Sequence, residues 1–109
     1  MSGSMQSIDS GTGGISFDSD TVACGTVRIV GSTTGAALTQ GFIIEFLVEN
    51  DGGTESIIQQ TVRSYDSEDT SFNAQVAIVS DKLVAQVTDD SVTSSMRWSA
   101  YWTFVQHTF

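Results

Sequence analysis

The chain holds one histidine, His107, and one cysteine, Cys24. A thiolate nucleophile needs an imidazole to take its proton and a third group to orient that ring. No motif links the two residues here. Cys24 lies in the small-residue run TVACGT and reads as a buried structural thiol. His107 stands close to Phe109 and reads as an exposed or interface side chain. Two such ligands are too few for zinc. Carboxylates are the one rich class: Asp18 and Asp20, Asp66 and Glu68, then Asp69, Asp89 and Asp90. Loop carboxylates can bind Ca2+ through oxygen, but none of these fits the twelve-residue calcium loop, and they read as solvated charges. A pair across a cleft would suit glycoside hydrolysis, yet spacing along the chain does not give that separation. Gly11-Thr12-Gly13-Gly14 lacks the Lys-Ser/Thr and the helix of a phosphate loop. No catalytic, cofactor-binding or metal-binding residue is therefore assigned, and the chain reads as non-enzymatic. Aromatic rings remain. Tyr65, Phe72, Tyr101 and Phe109 can stack on sugar rings, and Tyr65 and Tyr101 are the candidate glycan contacts.

The elements that must position these residues are strands. Phe42–Glu49 reads FIIEFLVE. Phe42, Ile44, Phe46 and Val48 alternate onto one apolar face, which belongs in a core. Ile43, Glu45, Leu47 and Glu49 share the other face, a candidate surface for a partner subunit. Asn50-Asp51-Gly52-Gly53 is a strong hairpin signal. Ile57–Arg63 is the returning strand, with Ile58, Gln60 and Val62 on one side and Ile57, Gln59 and Thr61 on the other. Thr21–Val30 is β-rich, with Gly25 as a bulge or bend. Gly31–Gly41 reads as a small-residue loop, and Ser64–Ser71 as an acidic one. Ile15–Phe17 is a short strand candidate. Phe72–Val79 and Leu83–Thr88 flank a tight turn at Ser80-Asp81-Lys82, with Phe72, Ala74, Val76, Ile78, Leu83, Ala85 and Val87 inward. Met96–Val105 is the last strand. Met96, Trp98, Ala100, Trp102 and Phe104 share one side, so this strand is expected to cross the middle of the core. No amphipathic helix stands out. The expected fold is all-β, an antiparallel β-sandwich of jelly-roll or immunoglobulin-like type with about seven or eight strands. Residues 1–14 read as a flexible Ser/Gly-rich arm, and residues 15–109 as one domain.

Composition agrees. Proline is absent, lysine occurs only at Lys82, and β-formers outweigh leucine. Thirteen acids against four bases give a formal charge of -9. That excess speaks against nucleic acid and against docking on anionic membranes. No apolar run is long enough to insert as a membrane helix, and the N-terminal stretch, which has no Lys or Arg, is not a secretory signal.

The run FIIEFLVEN, the turn DGGT and IIQQTV, followed by FNAQVAIVSDKLVAQVTDD and RWSAYW, resembles a small β-module of tailed-bacteriophage virion proteins. The pairing of LVAQVT with a later RWSA carries most of the likeness, and the opening GGISFDSDTVACGTVRIVG resembles stretches that precede terminal modules in phage fibres. Such modules occur as capsid decoration proteins, head fibres and tail-fibre tips. The resemblance implies a virion structural protein that assembles as a homotrimer and carries no cofactor. Its other partners would be capsid or tail proteins, reached through the N-terminal arm. A host-surface glycan-binding tip is the alternative. The apolar residues on otherwise solvent-facing sides, Ile43, Leu47, Tyr101, Val105 and Phe109, are the candidate subunit interface.

Overall fold

The computed structural model describes residues 5–7, 14–32, 39–66, 72–88 and 97–109. It is all-β and antiparallel. The strands are β1 (Met5–Ser7), β2 (Thr21–Ser32), β3 (Thr39–Asp51), β4 (Thr54–Asp66), β5 (Ala74–Val79), β6 (Lys82–Thr88) and β7 (Arg97–Thr108). They form a four-stranded sheet in the order β4-β3-β2-β7 and a three-stranded sheet in the order β1-β6-β5.

Alternation explains how the sheets meet. On β3 the buried positions include Phe42, Ile44, Phe46 and Val48, as the pattern predicts; β2 adds Ala23, Val27 and Ile29. From the smaller sheet come Ala74, Val76, Leu83, Ala85 and Val87, and Phe17 and Phe72 join the same cluster. One apolar layer thus lies between the sheets, with Ile78 packed at its margin. Burying a side chain of this size contributes about 1.5–3 kcal/mol.

Two hairpins fix the register. Gly52 and Gly53 both take positive φ (65° and 96°), the conformation that matches the twist of paired strands. Asn50 anchors this turn: its Oδ1 accepts from the Gly53 amide at 2.9 Å, and its Nδ2 donates to the Phe17 carbonyl at 2.8 Å. Ser80 and Asp81 take the same positive φ between β5 and β6.

Several expectations change. β7 does not cross the middle of the core; it is the edge of the larger sheet. Two of its aromatics reach the core sideways because β2 offers glycines opposite them. Gly31 pairs with Trp98 and Gly25 with Phe104. A methyl on Gly25 would run into the Thr103 carbonyl and the Phe104 Cβ, and one on Gly31 into the Trp98 ring. Trp98 therefore lies across Gly31 and meets Phe42 and Phe72, with centroids 6.2 and 5.7 Å away. Trp102 meets Phe46 at 5.7 Å, and Phe104 meets Phe17 at 5.4 Å. Gly25 is neither bulge nor bend, since β2 pairs without interruption on both sides.

The bulge lies elsewhere. Leu47 pairs with Gln59 and Val48 with Ile57, so Ile58 is the extra residue on β4. It breaks the expected alternation and brings Ile57 and Gln60 to the core side. Strands also run further than expected, through Ser32, from Thr39 and up to Asp66, so Tyr65 is a strand residue and not a loop residue. Ile15–Phe17 is reduced to one bridge, Ile15 to Leu83. Within the segment expected to be a flexible arm, Met5–Ser7 pairs with β6. Met96, Glu68, Asp69, Asp89 and Asp90 lie outside the described residues.

Candidate interaction face

The side chains that could do binding work lie on the outer face of the four-stranded sheet. Cross-strand register orders them in rows. One row runs Gln59–Leu47–Cys24–Val105, the next Thr61–Glu45–Thr26–Thr103, then Arg63–Ile43–Arg28–Tyr101, then Tyr65–Gly41–Val30–Ser99. Ser32 and Arg97 close the set.

Of the five residues expected at a subunit interface, Ile43, Leu47, Tyr101 and Val105 share this side, and Phe109 follows β7. Val105 is 77% exposed, Tyr101 68% and Phe109 58%, while Ile43 and Leu47 are half-buried. They do not form one continuous patch. β2 runs between β3 and β7, so Cys24 separates Leu47 from Val105, and Arg28 separates Ile43 from Tyr101.

A feature that residue types alone did not reveal is the placement of the cations. Arg28, Arg63 and Arg97, three of the four basic residues, are exposed on this face. The chain as a whole is strongly acidic. The parity of Arg28 with Cys24 and Val30 was the available signal; the placement of Arg63 required knowing the bulge. Glu45 and Glu49 share the face.

Tyr65 lines a shallow depression of about 640 Å³ with Val30, Gly41, Ser99 and Arg97. Gly41 leaves its floor open, for an added Cβ there would meet nothing closer than 3.7 Å. Tyr101 does not line it. The two tyrosines stand on the outermost strands of the sheet, three strand spacings or roughly 14 Å apart. They cannot sandwich one sugar ring.

Cys24 is exposed, contrary to the expected buried thiol, because its parity on β2 places it outward. His107 is exposed too, and pairs with Val22. Cys24 and His107 are thus diagonal neighbours across β2 and β7, at a spacing that only long side chains bridge. Among the described residues no group of three or more His, Cys, Asp or Glu side chains is arranged to hold a metal. Asp20 is a turn residue, its carboxylate accepting from the Gly52 amide at 3.2 Å.

One carboxylate has an altered proton affinity. Burial raises the Glu55 pKa above its ordinary value, the nearby Phe17 amide opposes the shift, and the Asp81 charge adds to it. The amide is too poorly placed to count as a bond, since both Glu55 oxygens are shielded and neither accepts a well-formed hydrogen bond.

Comparison with family models, with curated proteins and with solved structures found no match.

Proposed function

We propose that the chain is a non-enzymatic structural module of a tailed-phage virion: a capsid-decoration protein, a head fibre or a short tail-fibre component. It works by assembling as a homotrimer. The observation that carries this reading is the outer face of the four-stranded sheet, where Ile43, Leu47, Tyr101, Val105 and Phe109 stand on the solvent side. Packing around a threefold axis would take these groups out of water. The virion setting rests on the sequence resemblance. In this reading the two sheets are a β-sandwich of jelly-roll or immunoglobulin-like type, and N-terminal residues outside β1 reach neighbouring capsid or tail proteins.

Light scattering after size exclusion tests the assembly. The expected mass is three times 11.6 kDa, or twice that where trimers pair, insensitive to salt, and Leu47→Glu with Val105→Glu lowers it. A wild-type protein that stays monomeric at every concentration sinks the proposal.

The depression beside Tyr65 favours a second reading, a host-glycan tip. Tyr65 is 53% exposed, and Arg97 and Ser99 offer donors to sugar oxygens. In an NMR titration with neutral and acidic oligosaccharides, Tyr65→Ala should weaken binding at least tenfold, about 1.4 kcal/mol, with the fold intact. Equal binding by the variant clears Tyr65 of that role.

A further inference from the structure

Among the described residues the two open sheets have four edge strands, and an unpaired edge invites another strand. Three of the four are defended. β1 has only three residues. β5 is clamped: the Gln60 amide donates to the Val76 carbonyl at 3.0 Å and accepts from the Val76 amide at 2.9 Å. β4 carries the bulge at Ile58 and the exposed charge of Arg63 within its length. β7 has no bulge, and its one formal charge, Arg97, stands at its first position. It is twelve residues long, pairs with β2 without a break, and contains no Asp, Glu, Lys or Pro.

We infer that β7 pairs antiparallel with β7 of a second copy, about a twofold axis at Thr103, joining two four-stranded sheets into one of eight. Three observations select this occupant and this register. The first is the symmetry of the sequence Tyr101-Trp102-Thr103-Phe104-Val105. Around Thr103, Tyr101 faces Val105 of the second copy on the outer side, and Trp102 faces Phe104 on the inner side. Each pair occurs twice, and aromatic–aromatic and aromatic–β-branched pairs are favourable across strands. The second is hydrogen-bond direction. The Phe109 amide donates to the Asp20 carbonyl, at the continuation of the β2–β7 ladder. Antiparallel groups alternate, so even-numbered β7 residues point their N–H and C=O groups at the open edge. Trp102 and Phe104 can then bond each other across the axis while Thr103 remains bonded to β2. The third is charge. Two copies of a chain with formal charge -9 repel, yet β2 and β7 carry no carboxylate. This edge brings no acids face to face. Phe104, an inward-facing ring still 38% exposed at that edge, would be covered.

The pairing uses backbone groups that contact through the outer face leaves free, so it goes beyond the trimeric reading: with both contacts made, trimers pair through β7 into six copies, and a mass of three copies is the assembly with its β7 edges still open. Cross-linking tests the register. In a Cys24→Ser background, Thr103→Cys places two thiols across the axis at a non-hydrogen-bonded pair, where Cα atoms stand about 4.5 Å apart, within disulfide range. Mild oxidation should convert most of this variant to a covalent dimer. Ser99→Cys, which this register puts opposite His107, should remain uncross-linked. Thr103→Lys should abolish pairing while circular dichroism stays unchanged. Failure of Thr103→Cys to cross-link, or equal cross-linking at Ser99→Cys, overturns the inference. If the wild-type mass is then still trimeric, assembly through the outer face survives without the edge contact. If it is monomeric, both fall.

Discussion

Glu55 shows how one side chain can set a pH dependence. Burial raises its pKa, so the folded chain holds this proton more tightly than the unfolded chain does. Stability then falls as pH rises from the ordinary carboxylate range through the raised value. At lower pH, where both states are protonated, the penalty is absent. Glu55→Gln removes the charge and keeps the shape. Thermal melts at about pH 4 and about pH 7 should show the variant gaining about 2–4 °C at the higher pH only. A variant that melts in parallel with the wild type at both pH values would mean the shielded carboxylate carries no penalty. The raised pKa was not legible in the sequence. Glu55 follows the Asp51–Thr54 turn as an ordinary polar residue, and only the approach of the Phe17 segment and of Asp81 shields and crowds it.

At the scale of elements, alternation carried the reading wherever a strand was regular. β3 is the clearest case, since its apolar parity could face only one layer. Both hairpin turns were legible for the same local reason. β4 was misread because one extra residue at Ile58 inverts the parity of everything before it, and no residue type announces a bulge. β7 was misplaced because its aromatics looked central; their reach over Gly25 and Gly31 belongs to a neighbour 67 to 79 positions away in register, not to the strand itself. The bulge has a use. It turns Gln60 toward the second sheet, where its amide replaces the missing strand beside Val76. Gln60→Leu fits the apolar surroundings but strands two polar groups, a loss of about 1–3 kcal/mol. Urea unfolding should show that decrease, and hydrogen exchange should be fastest to rise at the Val76 amide. Unchanged exchange there would mean water takes over the clamp at no cost.

For the whole molecule, the arrangement of charge matters more than its total. The strand pair β2–β7 is free of carboxylates, while Glu45, Glu49, Asp51 and Glu55 lie on β3 and β4. A second copy would therefore meet the least repulsion on one side of a body measuring 46 × 24 × 21 Å. The candidate face was legible as a set of outward apolar residues, but not as a surface interrupted by β2 or bordered by three arginines. The glycine hollows of β2 have a further consequence, for the order in which a ribosome delivers the chain. β2, β3 and β4 emerge well before β7 and can pair as a meander, leaving Gly25 and Gly31 as empty sockets along an open edge. Trp98 and Phe104, which fill them, are translated only after β5 and β6. A nascent chain stalled before Arg97 would thus display a bare β2 edge, and a β7 released from one finished molecule is the segment shaped to occupy it. Slow synthesis at high local concentration would favour strand exchange between neighbours over closure within each chain.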